Sequence, residues 1–551
     1  MNFNRRSFVK VAGAAAAATG TIVTSALAEE TTPSWGTVEV DQATVAAIDA
    51  QAAEIPAWIG EAPSITPEEC DETIETDVLV VGSALAGCLS AYKALEQGAK
   101  VIMIERNGAP HISGSGIGFF DSEYQKAAGQ PEHNAKDIMN KVINEGNLRV
   151  DAGLVAMWAY NSGMILDELE ANVLQPAGLP GTPCIGVPLE PDEIDQYDAA
   201  FHVDFDDTGR DSLEKFDYIF HDYIRDNGGE VKFHVTARKL VQDETGAVLG
   251  CICTDDETGE HIYFKTAKGV IMCCGSYAGN YEMVDALCYP SMAKFIKKYS
   301  GYNAKATETA PVDCEEKMDD GLGHRMMMWA GAIFEEIDPS YQAWSNQGYW
   351  IAAPLAVNNK GQRFFNEAIS SLSSSFAIFE LPDGVNYVWQ IMDSSGFDFP
   401  ALLPMPGANH EMMEAMAAGS ERYEADTIEE LAEMIGVPAD ELVKSVNRYN
   451  ELCELGVDLD YGKGSNHMHT IAEPPFVAYK EGYYLFGMSS GVKVNLKLQV
   501  LDKNWDPIPG LYAAGNCVGW RMGSGYQNVV PGLCNAYAAV HGYFAGKYAA
   551  E

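Results

Sequence analysis

One stretch near the start of the chain, TDVLVVGSALAGCLSAYKALEQGAKVIMIER at residues 76–106, restricts the possible folds most strongly. Its first apolar run, Val78–Val81, has no polar residue and predicts a buried parallel strand. After a break at glycine, the pattern predicts a helix over Ala86–Gln97, and a second apolar run predicts a strand over Lys100–Ile104. This order of strand, helix and strand predicts an α/β fold that contains a βαβ unit.

The turn between the first strand and the helix carries small residues at the spacing of a phosphate-binding turn. Gly82, Ala84 and Gly87 stand at the G-x-G-x-x-G positions, so the backbone can turn tightly and approach a pyrophosphate at the helix N-terminus. The second strand ends in Glu105, which can bind both ribose hydroxyls and disfavours a 2′-phosphate. We predict an NAD or FAD site, with a βαβ unit that binds no ligand as the alternative. The predicted contacts in this unit are Gly82, Ser83, Ala84, Ala86, Gly87 and Glu105.

The first 28 residues carry an export pattern. Arg5 and Arg6 precede SFVK, then a mildly apolar Ala/Gly/Val stretch and an A-x-A sequence at 26–28. This is typical of a twin-arginine signal peptide, and it predicts a periplasmic or other extracytoplasmic location associated with the cell envelope. The alternative is an uncleaved anchor. Because no other segment is long enough to span a bilayer, we do not expect an integral membrane protein.

Charge and cysteine content narrow the possible partners. The formal net charge of -43 leaves no basic surplus for nucleic acid, and it suits a soluble protein or a basic partner. The 12 cysteines form neither C-x-x-C nor the haem-attachment pattern C-x-x-C-H. Cys251, Cys253, Cys273 and Cys274 lie in strand-like apolar runs, where buried free thiols are expected. No metal site is predicted, and an iron–sulfur cluster built from scattered cysteines stays open as the alternative.

A chain of 551 residues is too long for one simple core, so at least two domains are expected. Helical spacing dominates residues 131–175, and strand-like runs separated by turns dominate 230–275. After residue 334 the sequence pattern changes to a serine-rich run and helical stretches, and near residue 485 it returns to a strand–turn–helix pattern. The predicted divisions are a leader at 29–72, a first domain part at 73–334, an inserted capping domain at 335–484 and a C-terminal part at 485–551.

Several distant segments then carry a family resemblance. In order, they are HISGSGIGFF, KGVIMCCGSYAGNYEM, DDGLGHRMMMWAGA, AVNNKGQRFFNEA, GVKVNLKLQVLD and IPGLYAAGNCVG. Together with the βαβ unit they cover about residues 75–550, and this order resembles the flavoprotein family of soluble fumarate reductases, succinate dehydrogenases and 3-ketosteroid dehydrogenases. The resemblance implies FAD as the cofactor. It also implies a discontinuous Rossmann-like FAD-binding domain with an inserted α+β capping domain.

The resemblance also assigns further contacts to FAD. A glycine-rich segment passes the flavin ring, Ala237 lies near the adenine, and Asp320 lies near the cofactor. The last helix, from about Asn535, directs its N-terminus at the flavin N1/C2 oxygen and stabilises the anionic reduced ring. His111 precedes the glycine-rich segment near where some relatives attach flavin covalently, which leaves covalent attachment open. The implied contacts are Ser113, Gly114, Gly116, Gly118, Ala237, Asp320, Asn516 (in place of the usual glutamate), Asn535 and Ala536.

The sequence departs from the fumarate reductase pattern at its charged positions. The proton-donating arginine is replaced by Ser371, and the relay pair by Gln347 and Trp350. The pair of histidines found in the fumarate reductases is replaced around Leu485–Gly487, and Tyr526 stands at the position of the arginine that clamps the substrate. A dicarboxylate would be held poorly without guanidinium groups. We therefore expect a neutral substrate, such as an aromatic or polycyclic enone, lactone or quinone-like compound.

The segment MGSGYQ, which contains Tyr526, resembles the ending of the ketosteroid dehydrogenases. The resemblance implies that Tyr526 and an N–H group within 524–533 hold the substrate carbonyl while hydride passes from flavin N5 to the β-carbon. A hydroxyl group of Tyr341, Tyr349 or Ser371 then supplies the proton. The alternative for each tyrosine is a packing role, and for Ser371 a loop position.

Three functions follow from this reading. The first is an exported FAD-dependent reductase of conjugated C=C bonds that takes electrons from a separate carrier, either a cytochrome or a quinone-linked protein, in anaerobic respiration. The second is the reverse half-reaction, a ketosteroid-type dehydrogenase. The third is a flavin electron carrier without small-molecule catalysis.

Overall fold

The computed structural model describes most of the chain from residue 56 onwards. The described residues are 56–109, 116–129, 132–178, 181–184, 200–203, 212–299, 319–335, 340–345, 355–368, 381, 385, 387–398, 421–523, 525, 527, 529–530 and 532–551. The predicted export signal and most of the predicted leader lie outside these residues.

The described chain forms the following strands and helices. The strands are β1 Glu72–Val81, β2 Val101–Ile104, β3 Gly181–Cys184, β4 Ala200–Val203, β5 Glu230–Lys232, β6 Val235–Gln242, β7 Val248–Asp255, β8 His261–Met272, β9 Ser340–Ser345, β10 Leu355–Val357, β11 Tyr387–Asp393, β12 Arg422–Ala425, β13 Phe476–Ser489, β14 Gln499–Leu501 and β15 Pro507–Ala513. The helices are α1 Leu85–Glu96, α2 Glu123–Ala127, α3 Ala135–Glu145, α4 Ala152–Leu169, α5 Ser212–Asp226, α6 Tyr281–Leu287, α7 Pro290–Tyr299, α8 Leu322–Trp329, α9 Ile428–Ile435, α10 Ala439–Leu455 and α11 Leu533–Ala550.

The larger sheet confirms the predicted βαβ unit and the α/β fold. Its strand order is β14-β15-β8-β1-β2-β5, and β1 runs parallel to both β2 and β8. In register, Val78 lies opposite Val101 and Val80 lies opposite Ile271. Val78–Val81 is buried because helices or strands cover both of its faces, which explains the absence of polar residues from this run.

Within the strand-rich segment 230–275, residues 235–272 form the predicted meander, whereas β5 at its start pairs parallel with β2 instead. β6 pairs antiparallel with β7, and β7 pairs antiparallel with β8. The end of β8 continues between β1 and β15 as a parallel strand of the larger sheet. This single long strand joins the meander to the part of the sheet that carries the glycine turn.

α11 packs directly on α1 through small residues. A Cβ atom on Gly542 would lie 2.3 Å from the Ala86 carbonyl oxygen, and one on Gly546 would lie 2.1 Å from that of Ser90. The Ser90 hydroxyl donates to both the Ala86 carbonyl at 2.7 Å and the Gly542 carbonyl at 3.0 Å. Only glycine permits this approach, and the contact fixes the position of the α11 N-terminus.

A second sheet contains β10-β11-β13-β12, with β9 paired to the end of β13. α9 and α10 cover it and share a separate apolar core that includes Leu355, Ile391, Leu431 and Tyr449. These elements fall within the predicted capping segment. However, β13 continues through residue 484, where we placed the end of that domain, so the boundary stays a prediction.

The end of the predicted leader packs on the first core. Trp58 and Ile59 are buried, and the ring of Trp58 lies 5.3 Å from that of Phe334. The Arg325 Nε donates to the Ile59 carbonyl at 2.9 Å. In the part of the chain that the structure describes, we find no helix with the length and apolar content needed to cross a bilayer.

Candidate active site

A cleft opens at the carboxyl ends of the parallel strands β1, β2 and β8. Ligands of open α/β sheets bind at this edge, where the chain leaves each strand and turns into a helix or loop. The cleft brings together six of the residues predicted from sequence to bind the cofactor: Gly82, Ser83, Ala84, Glu105, Ala237 and Asp320.

The glycine turn has the geometry that a phosphate-binding turn requires. Gly82 has φ of 100°, and a Cβ atom there would lie 2.3 Å from the Cys273 carbonyl oxygen. A Cβ atom on Gly87 would lie 1.9 Å from the Gly82 carbonyl oxygen, so α1 begins directly on the turn. Ala84 precedes α1, and the buried Ala86 lies in its first turn. The free N–H groups at this helix N-terminus fit an anion.

The carboxylate of Glu105 is fixed at the cleft by backbone and side-chain donors. One oxygen accepts hydrogen bonds from the Ser83 N–H at 3.1 Å and the Ser83 hydroxyl at 3.3 Å. The other accepts the Asn107 N–H at 3.0 Å. A carboxylate oxygen can accept more than one hydrogen bond, so Glu105 keeps capacity for ribose hydroxyls and repels a 2′-phosphate. The residues present therefore fit a dinucleotide such as FAD.

Arg106 and Asp320 form an ion pair at the cleft, with 2.8 Å between Nη1 and Oδ2. Both residues line the cleft. The second oxygen of Asp320 accepts the Leu322 N–H at 2.9 Å at the start of α8. Sequence reasoning placed Asp320 near the cofactor and missed Arg106, although Arg106 directly follows the predicted ribose-binding acid.

A second group of predicted residues meets at the start of α11. The Gly118 N–H donates to the Gly532 carbonyl at 3.0 Å, and the Asn535 side chain donates to the Gly116 carbonyl at 2.9 Å. A Cβ atom on Gly532 would lie 2.4 Å from the Gly116 carbonyl oxygen. Ala536 is buried in the first turns of the helix. The glycine-rich segment and the α11 N-terminus are thus held against each other.

Asn516 follows β15 and accepts two hydrogen bonds through Oδ1, from Arg521 Nη2 at 2.9 Å and from the Cys534 thiol at 3.1 Å. Sequence reasoning missed Arg521. The signal was present, because Arg521 is the only Lys, Arg, Asp or Glu between Asp506 and Lys547. The comparison with the fumarate pattern considered only the clamp positions and so passed over this arginine.

Most of the predicted catalytic residues lie outside the part of the chain that the structure describes. Tyr349, Ser371 and Tyr526 lie outside the described residues, as do Ser113, Gly114, His111, Gln347 and Trp350. Tyr341 falls in β9, where its backbone pairs with Met488 of β13. The roles of all these residues stay predictions.

The cysteines in the strands are free thiols, as expected. Cys251, Cys253 and Cys273 are buried, and Cys274 is half-buried and lines the cleft. Burial raises the pKa of the Cys273 thiol well above its ordinary value, which keeps this group protonated.

A glycine turn, a ribose-binding acid and a cleft at the carboxyl edge of a parallel sheet define a dinucleotide-binding protein. The family model described as "FAD binding domain" matches residues 77–529, and the chain belongs to this family. The resemblance inferred from the motifs is confirmed. The cofactor is FAD, and the protein is an FAD-dependent oxidoreductase.

Individual relatives extend over most of the chain. The vinyl phenol reductase of Lactiplantibacillus plantarum is 26% identical over 86% of this chain and 96% of its own length. The urocanate reductase of Eggerthella lenta is 27% identical over 87% of this chain and 75% of its own length. A solved 3-ketosteroid-Δ4-(5α)-dehydrogenase from Rhodococcus jostii RHA1, in complex with 4-androstene-3,17-dione, has a TM-score of 0.69 at 21% identity. It covers 89% of this chain and 99% of its own.

Proposed function

We propose that the protein is an exported reductase that transfers a hydride from flavin N5 to the conjugated C=C bond of an α,β-unsaturated carbonyl compound. The observation that carries this proposal is the FAD family membership together with relatives named as reductases of vinyl phenol and urocanate over most of the chain. FAD supplies the hydride, and the residues of this chain bind and polarise the substrate.

The proposed substrate is neutral and aromatic or polycyclic, and it is not fumarate. The support is the replacement of arginine by Ser371 and Tyr526 at the positions that clamp and protonate a dicarboxylate. Tyr526 donates its hydroxyl hydrogen to the substrate carbonyl, and an N–H group within 524–533 shares the developing negative charge. A hydroxyl of Tyr341, Tyr349 or Ser371 delivers the proton to the α-carbon.

The proposed electron donor is a separate carrier protein, a cytochrome or a quinone-linked protein. The net charge of -43 favours a basic partner. The arginine pair and the A-x-A sequence within residues 1–28 support export by the twin-arginine route to the periplasm or another extracytoplasmic site.

The test uses the FAD-loaded protein, reduced with dithionite under anaerobic conditions and mixed with neutral enones and matching carboxylates. We expect a neutral enone to reoxidise the flavin, followed by absorbance. Rapid turnover of fumarate would contradict the proposal. Reduction of the oxidised flavin by a saturated ketone would instead support the dehydrogenase, and indifference to every compound would support an electron carrier.

Replacing Tyr526 by Phe tests its role directly. We expect the rate of flavin reoxidation by the enone to fall about 10²-fold or more, as happens when one oxyanion donor is removed. Tyr160 on α4 is 60% exposed, so Tyr160→Phe is the matched control and should leave the rate unchanged. A Tyr526→Phe rate equal to that of the control would remove Tyr526 from the mechanism.

A further inference from the structure

Arg521 is a buried cation whose hydrogen bonds all go to uncharged acceptors. Arg521 is 1% exposed to solvent. Its Nε donates to the Val518 carbonyl at 3.1 Å, and its Nη2 donates to the Ser489 hydroxyl and to Asn516 Oδ1. Its Nη1 is buried and has no hydrogen-bond partner among the described residues. One buried donor of the guanidinium therefore meets no acceptor in the described part of the chain.

Among the described residues, Glu335 is a buried carboxyl group that interacts electrostatically with Arg521. A Cβ atom on Gly519 would lie 2.8 Å from Glu335 Oε2, which places this carboxyl against the turn that leads to Arg521. Glu335 is 3% exposed, and burial raises its pKa to about 8. This burial disfavours the ionised form of Glu335 and so weakens it as a counter-charge for Arg521. A buried charge in this condition is unfavourable unless a ligand supplies the opposite charge.

The position of Arg521 in the fold indicates which ligand this is. Across the sheet the strands run in the order β2-β1-β8-β15. Glu105 fixes the ribose end of the cleft at β2, so the rest of a dinucleotide extends past β1 and β8 towards β15. Arg521 is bonded to Asn516, which follows β15 at the same edge. The flavin end of FAD is therefore expected on the Arg521 side.

The N-terminus of α11 meets Arg521 at this point. Asn516 Oδ1 joins Arg521 Nη2 to the thiol of Cys534 in the first turn of α11, and the guanidinium lies 5.9 Å from the ring centre of Tyr537. An 18-residue helix carries a partial positive charge at this end. Two independent sources of positive potential thus converge beyond β15.

We propose that Arg521 stabilises the negative charge that bound FAD gains on reduction, in addition to the α11 N-terminus to which the family resemblance already assigns this effect. Two electrons from a reductant and one proton from solvent add to the oxidised ring, which then carries one negative charge. The guanidinium favours this reduced form over the oxidised form. Arg521 therefore raises the midpoint potential of the bound cofactor.

The experiment measures the midpoint potential of the FAD-loaded full-length protein by spectroelectrochemistry at pH 7, without substrate. For Arg521→Gln we expect at least a tenfold weaker preference for reduced FAD, which is a decrease of about 30 mV for a two-electron couple. Arg521→Lys keeps the charge but not the planar fork. For Arg521→Lys we expect the preference for reduced FAD to fall about threefold, which lowers the midpoint potential by about 14 mV.

The matched control is Arg363→Gln, which makes the same change at a second buried arginine. Arg363 is paired with Glu367 and Asp458, and we expect the midpoint potential of this variant to equal that of the wild type. If Arg521→Gln does not retain FAD, Arg521→Met, which also removes the charge but keeps a long unbranched side chain, decides the test. A wild-type potential in the retained variant would overturn the proposal. An unchanged potential with weakened binding of a carboxylate-bearing enone would also overturn it and assign Arg521 to the substrate. Because the potential is measured without substrate, this outcome is independent of the proposed reaction.

Discussion

Two buried arginines in different parts of the molecule are held in opposite ways. Arg363, beside the second sheet, places Nη2 2.8 Å from a carboxylate oxygen of Glu367 and 2.8 Å from one of Asp458. Among the described residues, Arg521, beyond β15, donates to a carbonyl, a hydroxyl and an amide oxygen. The first cation is paired with carboxylates of the protein itself, whereas the second has hydrogen bonds to uncharged groups. This difference motivates the structural role expected for Arg363 and the cofactor role proposed for Arg521.

The largest expected effect breaks the complete network. Arg363→Gln leaves the buried carboxylates of Glu367 and Asp458 without their main donor, and we expect the free energy of unfolding to fall by about 3–5 kcal/mol. Denaturant unfolding checks this value. Arg448→Gln is the control, because Arg448 is half-exposed and its loss should change the midpoint much less. Arg521→Gln should also lose less than Arg363→Gln, since no ionised group is left unpaired, and equal losses would contradict the comparison.

The next largest effect is a difference between Asp458 and Glu335 in how each makes the free energy of unfolding depend on pH. Burial raises the pKa of Asp458, but hydrogen bonds from Arg363 and from backbone N–H groups outweigh burial and lower this pKa to about 2. Its contribution to stability is present above the ordinary value of 3.8 and is lost as the pH falls towards 2. Glu335 behaves in the opposite way. Folding holds its proton up to a pH of about 8, so stability is lost as the pH rises from the ordinary 4.5 to about 8.

Glu335→Gln should therefore flatten the decrease in unfolding free energy between about pH 5 and pH 8, while Asp458→Asn should flatten only the acid side, below about pH 4. Denaturant midpoints measured across the pH range separate the two variants. Identical slopes for Glu335→Gln and the wild type across the neutral range would show that Glu335 is ionised there. Arg521 would then have a charged partner, and the contrast with Arg363 would disappear.

The smallest effect concerns the ion pair at the cleft, where the side chains of Arg106 and Asp320 are 22% and 40% exposed. A pair exposed to this degree contributes about 1 kcal/mol or less. We expect Arg106→Gln to raise the Kd for FAD by about fivefold or less, as measured by titration of the apoprotein. Arg422→Gln, which removes a pair of similar exposure with Glu424 in the second sheet, should leave the Kd unchanged. A hundredfold loss would show that Arg106 contacts FAD directly.

Local patterns were sufficient to predict the βαβ unit. The helix predicted over Ala86–Gln97 runs from Leu85 to Glu96, and the strand predicted over Lys100–Ile104 begins one residue later. Burial on both faces leaves only apolar residues in such strands, so the sequence itself marks them. The first half of β1, from Glu72, was not predicted. Its polar residues pair with the distant β8, and nothing local marks that pairing.

The candidate site was predictable only in part, for a similar reason. Gly82 and Glu105 lie within one βαβ unit and carry a recognisable spacing. Arg106 and Arg521 are positioned by partners that are distant in the sequence. Arg106 pairs with Asp320, and Arg521 donates a hydrogen bond to Ser489. Neither pairing has a sequence signature, although an isolated charge in a long uncharged segment, as at Arg521, is a signal that can be searched for.

The contact between α1 and α11 has a consequence for biosynthesis. Ser90 and Gly542, which are bonded across this contact, lie 452 positions apart in the chain. During translation, the glycine turn is therefore made long before the helix that we expect to form the opposite wall of the cofactor site. We expect a ribosome-bound chain that still lacks residues 533–550 to bind the flavin weakly, so that tight binding waits for the finished polypeptide.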